Sequence, residues 1–279
     1  MNRRSFSIAA ATVAAGFVAT GVLTQTADAT TTHTPRPTVV LVHGAWSDSS
    51  SWQGVAKRLQ NDGYPVVAPA VPLRGLSSDA AYLTDYLKTI NGPIVLVGHS
   101  YGGSVITQAA TGNSHVTALV YAAAFAPDKG ETASGLTAKF PGSHISDDAN
   151  ASIPTALNPV PFTENGTTNV DLYIKSDKFR DVFLSNRRSA REAAVLAATQ
   201  RPVTPQALGE PTGTPAWKTI PSWYLVAGND HLIPAATERY MAQRAHAHTS
   251  EVNAPHDVLL TNPGTVTHVI EDAAHTTAH

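Results

Sequence analysis

The chain has 279 residues, 42% of them hydrophobic and 14% charged, with a formal net charge of −2 and no cysteine. That is enough apolar material for one large domain with a substantial core. It excludes a basic nucleic-acid-binding stripe, an acidic solvating tail, a thiol nucleophile, a thiolate metal site and any disulfide.

Residues 1–29 read as an export signal. Arg3-Arg4 with Phe6 is followed by a small-residue apolar stretch, Ile8 to Leu23, and then by Ala27-Asp28-Ala29. A charged start, an apolar middle and an A-x-A site are the marks of a secretory signal, and the paired arginines suggest the twin-arginine type. The expected location is secreted, periplasmic or otherwise extracytoplasmic, with no stable membrane anchor once the signal is removed. Residues 30–37 form a polar leader.

The folded part begins with Thr38-Val-Val-Leu-Val42, a β-branched run that predicts a strand buried on both faces. Ser51 to Asn61 has helical apolar spacing and stops at Gly63. Pro65 to Pro69 is the next strand, Asp79 to Ile90 a second helix, and Ile94 to Val97 a third strand. Gly103 to Ala110 continues as a helix, and Val116 to Ala122 is the fourth strand. After Glu131 the alternation stops. Residues 132–215 contain a Pro/Asn-rich loop at Ile153 to Pro161 and two predicted helices, near Lys178 to Asn186 and Ser189 to Thr199. They read as a helical lid inserted over one end of the sheet. Alternation returns with a strand at Ser222 to Ala227, a helix at Ala235 to Ala245, a strand at Thr249 to Asn253 and a helix at Pro263 to Glu271. Residues 38–131 and 216–279 therefore form an α/β core, with a mostly parallel central sheet and helices on both faces.

Ligands of such sheets bind beyond the carboxyl ends of the strands. Ser100 sits at one of those ends, inside Gly98-His-Ser100-Tyr-Gly102-Gly103. Gly-x-Ser-x-Gly between strand and helix is the pattern of a nucleophile elbow, where side chains at the flanking positions would collide with the neighbouring strand and helix. His43-Gly-Ala-Trp46 follows the first strand, and with the elbow it makes the backbone amides of Ala45 and Tyr101 candidate oxyanion donors. Asp230 follows the strand at 222–227, and His256 follows the last strand. Asp230 is the preferred acid, with Asp128 as alternative, and His256 is the preferred base. His43, His99 and His231 are weaker candidates because each adjoins another functional position. His246, His248, His275 and His279 lie in polar stretches and are expected to be exposed. No histidine has evident metal-ligand company.

HGAW at 43–46, GHSYGG at 98–103, GNDHLIP at 228–234 and PHD at 255–257, in that order, resemble the α/β-hydrolase superfamily over roughly residues 38–272. The resemblance is nearest to small esterase-like members, which are also similar to plant methylesterases and hydroxynitrile lyases. It implies Ser100 as nucleophile, His256 as base and Asp230 as its partner, acting on a small-molecule carboxylic ester with no cofactor and no metal. A hydroxynitrile-lyase activity is the alternative within the same fold. Such relatives use a lysine just after the catalytic histidine and a hydroxyl residue in the first oxyanion loop, where Asp257-Val258 and Gly44 stand here. A catalytically silent ligand-binding protein is the third possibility. Phe125, Phe140, Phe162, Tyr173, Phe179, Phe183 and Trp217 lie in or near the insert, most of them expected to pack it onto the core. Arg187, Arg188 and Arg191 are expected on a solvated helix face. The choice among ester, lactone, thioester, aryl amide and perhydrolysis chemistry, and the oligomeric state, stay open at the level of sequence.

Overall fold

Every apolar run read as a core strand is a strand in the computed structural model, which describes residues 36–277. The first half of the chain alternates as β1 (Thr38–Val42), α1 (Gln53–Asn61), β2 (Val66–Val67), α2 (Leu76–Leu87), β3 (Ile94–Ser100), α3 (Tyr101–Ala109) and β4 (Val116–Ala124). The insert carries α4 (Ala133–Thr137), β5 (Leu157–Glu164), β6 (Thr167–Ile174), α5 (Ser176–Val182), α6 (Ala190–Thr199) and α7 (Pro205–Gly209). The chain then returns to the core with β7 (Ser222–Ala227), α8 (Ala235–Arg244), β8 (His248–Val252), α9 (Val258–Thr261) and α10 (Pro263–Thr276). The export signal expected at residues 1–29, and all but the last two residues of the polar leader expected at 30–37, lie outside the described residues. Among the described residues no helix is long and apolar enough to cross a membrane.

The six core strands lie in the order β2-β1-β3-β4-β7-β8, and each neighbouring pair is parallel. Alternating side chains divide between two apolar layers. Val40, Val42, Leu96 and Leu119 enter one, and Val39, Leu41, Val95, Val97 and Val120 enter the other. Because both faces are covered, these strands read as unbroken apolar runs rather than as alternating ones. The chain leaves β1 outward to β2 and leaves β3 in the opposite direction to β4. The gap between the ends of β1 and β3 is thus the topological switch point, where a parallel sheet opens a crevice.

The structure refines the element bounds. The strand expected at 94–97 runs to Ser100, and α2 starts at Leu76, which places Asp79 inside the helix and buried. The helix expected from Ser51 opens with a 3-10 turn, Ser49–Trp52, capped by the Asp48 side chain, before α1 proper. The insert also holds more than helices. β5 and β6 pair antiparallel from Leu157↔Ile174 to Glu164↔Thr167, a hairpin over much of the stretch expected to be loop. Its two-residue turn is Asn165-Gly166, with φ of 50° and 77°. That dipeptide suits a turn whose central residues are both left-handed. α6 opens on a capping box between Ser189 and Glu192, which sets its start within a residue of the expected Ser189.

Close backbone packing at the crossing of β3, α3 and β4 sets a sharp steric limit. A Cβ built on Gly103 would lie 2.3 Å from the carbonyl oxygen of Phe125 and 2.8 Å from Cβ of Ala124. Neither neighbour is a flexible side-chain end. Gly103→Ala is expected to cost about 3 kcal/mol, lowering the melting temperature by about 5–10 °C. Gly264→Ala, where an added Cβ meets nothing within 4 Å, should stay within about 1 kcal/mol of the parent in the same thermal unfolding measurement.

Candidate active site

Ser100 ends β3 and precedes α3 with φ 53° and ψ −125°, a conformation rare for a residue with a side chain. Its neighbours make the turn possible by having no Cβ. One added to Gly98 would meet the backbone of Gly102 and Gly103 at 2.7 Å, and one added to Gly102 would meet the carbonyl oxygen of Val42 at 2.5 Å. The turn is held from outside by the Phe125 N–H, which donates to the Ser100 carbonyl at 3.1 Å. The side chain of Ser100 is thereby presented at the switch point, at the amino end of α3, where unpaired N–H groups favour negative charge.

The structure brings the three expected side chains together. His256 Nε2 lies 2.8 Å from Ser100 Oγ, and His256 Nδ1 lies 2.5 Å from Asp230 Oδ2. All three residues are buried. The other oxygen of Asp230 accepts the N–H groups of Leu232 at 2.6 Å and Ile233 at 2.9 Å, which fixes the carboxylate plane. With Nδ1–H donated to Asp230, the lone pair of Nε2 faces the serine hydroxyl. Asp128, the alternative acid, instead pairs with Lys218 at 2.6 Å. His256 itself is braced by both halves of the molecule. Its ring meets Phe183 of the insert edge-on at 5.2 Å between centroids, and the Asp257 N–H donates to the Phe183 carbonyl at 3.2 Å.

The weaker histidine candidates support the site from behind. His99 donates from Nε2 to the His256 carbonyl at 2.9 Å. Burial, and secondarily the adjacent His256, lower its pKa to about 3, so it stays neutral. His43 donates from Nδ1 to the Gly44 carbonyl at 2.9 Å and accepts the Val71 N–H at Nε2, 3.0 Å away. It pins the loop carrying Ala45 while burial holds its pKa down. A Cβ on Gly44 would stand 2.6 Å from Cβ of Ser100, so this loop can approach the serine only with glycine there. Tyr101, on the other side, is fixed by its hydroxyl, which donates to buried Asp79 Oδ2 at 2.8 Å. Ala45 and Tyr101 line the same cavity as Ser100.

That cavity has a volume of about 470 Å³ and is walled on the insert side by Phe140, Ile145, Leu157 and Leu208. A second cavity of about 440 Å³ lies across Trp46, against Phe179, Phe183, Leu196 and Asp257. Trp46 lines both and is anchored by its indole N–H, which donates to the Leu172 carbonyl at 3.0 Å. Of the aromatic residues singled out from the sequence, Phe125 and Phe140 thus reach the first cavity and Phe179 and Phe183 the second. Phe162, Tyr173 and Trp217 line neither. Arg187 and Arg188 do more than face water, because they donate to Asn253 and to the Leu260 carbonyl and tie insert to core.

Two buried carboxyl groups flank the site. Glu238 accepts the Ala227 N–H at 3.1 Å, and burial together with the negative charge of Asp230 raises its pKa well above the usual range. Asp257, next to His256, is raised from 3.8 to about 6 by burial, against the lowering effect of the Leu260 N–H that it accepts. The folded chain therefore holds this proton more tightly than the unfolded chain. By linkage, stability falls as the pH rises from near 4 through 6, and the penalty is complete above that. Asp257→Asn removes the ionisable group but keeps a cap acceptor. It should raise the melting temperature relative to the parent at pH 8, with the difference closing towards pH 4, in a melting series across that range.

The sequence model described as the alpha/beta hydrolase family matches residues 39–277. The chain is 28% identical over 262 residues to the alpha/beta hydrolase nvfD of Aspergillus novofumigatus, covering 86% of this chain and 97% of that protein. It is 27% identical over 241 residues to a pyrethroid hydrolase of Sphingobium wenxiniae, covering 78% and 79%. A shorter likeness, 34% over 113 residues, joins it to a carbendazim hydrolyzing esterase of a Nocardioides species, covering 36% and 47%. With a six-stranded parallel sheet, a serine at the switch point and a family match across nearly all the described residues, the chain belongs to the alpha/beta hydrolase family.

Proposed function

We propose that this protein is a serine hydrolase that cleaves a small carboxylic ester through an acyl-enzyme. The single observation that carries the reading is the unbroken relay from Asp230 through His256 to Ser100, with spacings of 2.5 Å and 2.8 Å. His256 takes the hydroxyl proton at Nε2 as Ser100 Oγ attacks the acyl carbon. Asp230 keeps the imidazole in the productive tautomer and stabilises the imidazolium. The backbone amides of Ala45 and Tyr101 receive the oxyanion of the tetrahedral intermediate. His256 returns the proton to the departing alcohol, then activates a water that releases the acid. The residues alone supply nucleophile, base and oxyanion donors, so the scheme calls for no metal or organic cofactor. Relatives named for hydrolysing a pyrethroid and carbendazim support a small, largely apolar substrate for the apolar cavity above Ser100.

The lyase reading is disfavoured by two residues. Asp257, a buried carboxyl, stands where the lyase needs a cation, and Gly44 has no space for a side chain. Hydrolysis of p-nitrophenyl esters of increasing acyl length tests the proposal. Ser100→Ala and His256→Ala should each lower kcat by about 10⁴–10⁶-fold, and Asp230→Asn by about 10⁴-fold, while melting temperatures stay near the parent's. Undiminished turnover in Ser100→Ala would sink the assignment, and cyanide release from a cyanohydrin would favour the lyase. We also propose that residues 1–29 direct twin-arginine export, on the strength of Arg3-Arg4, Ile8 to Leu23 and Ala27-Asp28-Ala29. Replacing both arginines by lysine should retain the protein inside a bacterial host, as read by cell fractionation and immunoblotting; equal export of the two forms would reject the signal.

A further inference from the structure

Three side chains that ester cleavage does not use meet where the insert joins the core. His144 lies in the loop after α4, Asp181 lies on α5, and His231 directly follows Asp230. Nδ1 of His144 is 2.7 Å from Asp181 Oδ2, and Nδ1 of His231 is 3.0 Å from Asp181 Oδ1. The two imidazole rings face each other with centroids 4.1 Å apart. One ligand-capable atom from each residue lies within 4.8 Å of the other two. Their backbones are set independently of these contacts, because the His144 N–H donates to the His231 carbonyl at 2.7 Å. Asn186 Nδ2 donates to Asp181 Oδ1 at 2.8 Å and orients the carboxylate.

We propose that His144, Asp181 and His231 form a binding site for a divalent transition-metal ion of the zinc type, bridging the insert and the core. The donor set decides the class. Two imidazole nitrogens and one carboxylate oxygen suit zinc and its neighbours, whereas calcium and magnesium take oxygen ligands almost throughout. Zinc bonds of about 2.0–2.2 Å in a tetrahedron place ligand atoms roughly 3.4 Å apart. The contacts of 2.7 Å and 3.0 Å, made to the two oxygens of Asp181, would open towards that spacing, and one donor atom from each residue already lies within 4.8 Å of the other two. Each Nδ1 then offers its lone pair, with the ring proton on Nε2.

Charge and access agree with this assignment. Burial pushes the Asp181 carboxyl up, but hydrogen bonds from His144 and His231 outweigh it and hold its pKa below the usual carboxylate value. Among the described residues no lysine or arginine forms an ion pair with Asp181, whose partners are the two histidines. The side chains are 45%, 37% and 24% exposed for His144, Asp181 and His231, enough for the ion to enter from water and to keep a water as fourth ligand. Two ligands come from the insert and one from the turn that carries Asp230, so a bound ion would cross-link the two parts.

The test uses the untagged full chain, dialysed against a chelator and titrated with zinc chloride, with magnesium chloride as comparison. Calorimetry should give one zinc per chain and no magnesium binding. At a hundredfold excess of zinc over its dissociation constant the melting temperature should rise by about 5 °C or more. His144→Ala and Asp181→Asn should each weaken binding at least tenfold, while His115→Ala, an exposed histidine outside the cluster, should bind as the parent does. Should Asp181→Asn fail to fold, His144→Gln on the exposed loop gives the same readout. No binding to the parent chain would overturn the site. Binding that survives in both His144 variants would overturn it equally, because the ion would then be held elsewhere.

Discussion

The left-handed backbone of Ser100 is the constraint on which the rest depends. At φ 53° the chain turns from sheet to helix within one residue and lifts a hydroxyl above the switch point. The surrounding glycines follow from that single dihedral. Gly98 and Gly102 clear space for the turn, Gly103 lets α3 lie against the end of β4, and Gly44 lets the neighbouring loop approach. Each of these positions is limited by backbone atoms or by Ser100 itself. The strain is local, and it is offset by the two apolar layers that bury β3 completely on both faces.

Around that turn lies a shell of buried polar groups, and few of them carry charge. His99 and His43 are neutral because burial disfavours the imidazolium, and each uses a ring nitrogen to hold a backbone carbonyl of the site. Glu238 is pushed towards its neutral form beside Asp230. Tyr101 and Asp79 do the corresponding work for the turn itself, joining α3 to α2 through one hydrogen bond of 2.8 Å.

Much of this was legible in the residue order, for identifiable reasons. The doubly covered strands announce themselves as continuous apolar runs. The elbow announces itself because steric exclusion leaves a glycine signature at fixed offsets. Asp230 and His256 were recoverable because each follows a strand end, which a parallel sheet gathers on one side. The β5–β6 hairpin was hidden by Pro159 and Pro161, which suggest loop but are tolerated in a two-stranded ribbon with both strands at an edge. Its signal was the Asn165-Gly166 turn. The roles of Asp79 and Glu238 were hidden because a carboxylate inside a helical pattern reads as solvated until its neighbours are known. The meeting of His144, Asp181 and His231 leaves no local spacing to detect, since the three come from separate segments.

The contact between Phe183 and His256 has a consequence for how such proteins diversify. The residues that wall the cavities and the residue that grips the imidazole sit on the same inserted stretch. A new insert, acquired to accommodate a different molecule, arrives with a different grip on the ring and on the amide of Asp257. Selectivity and reactivity are mechanically geared in this architecture, so exchange of whole caps between family members demands retuning of the core beneath them.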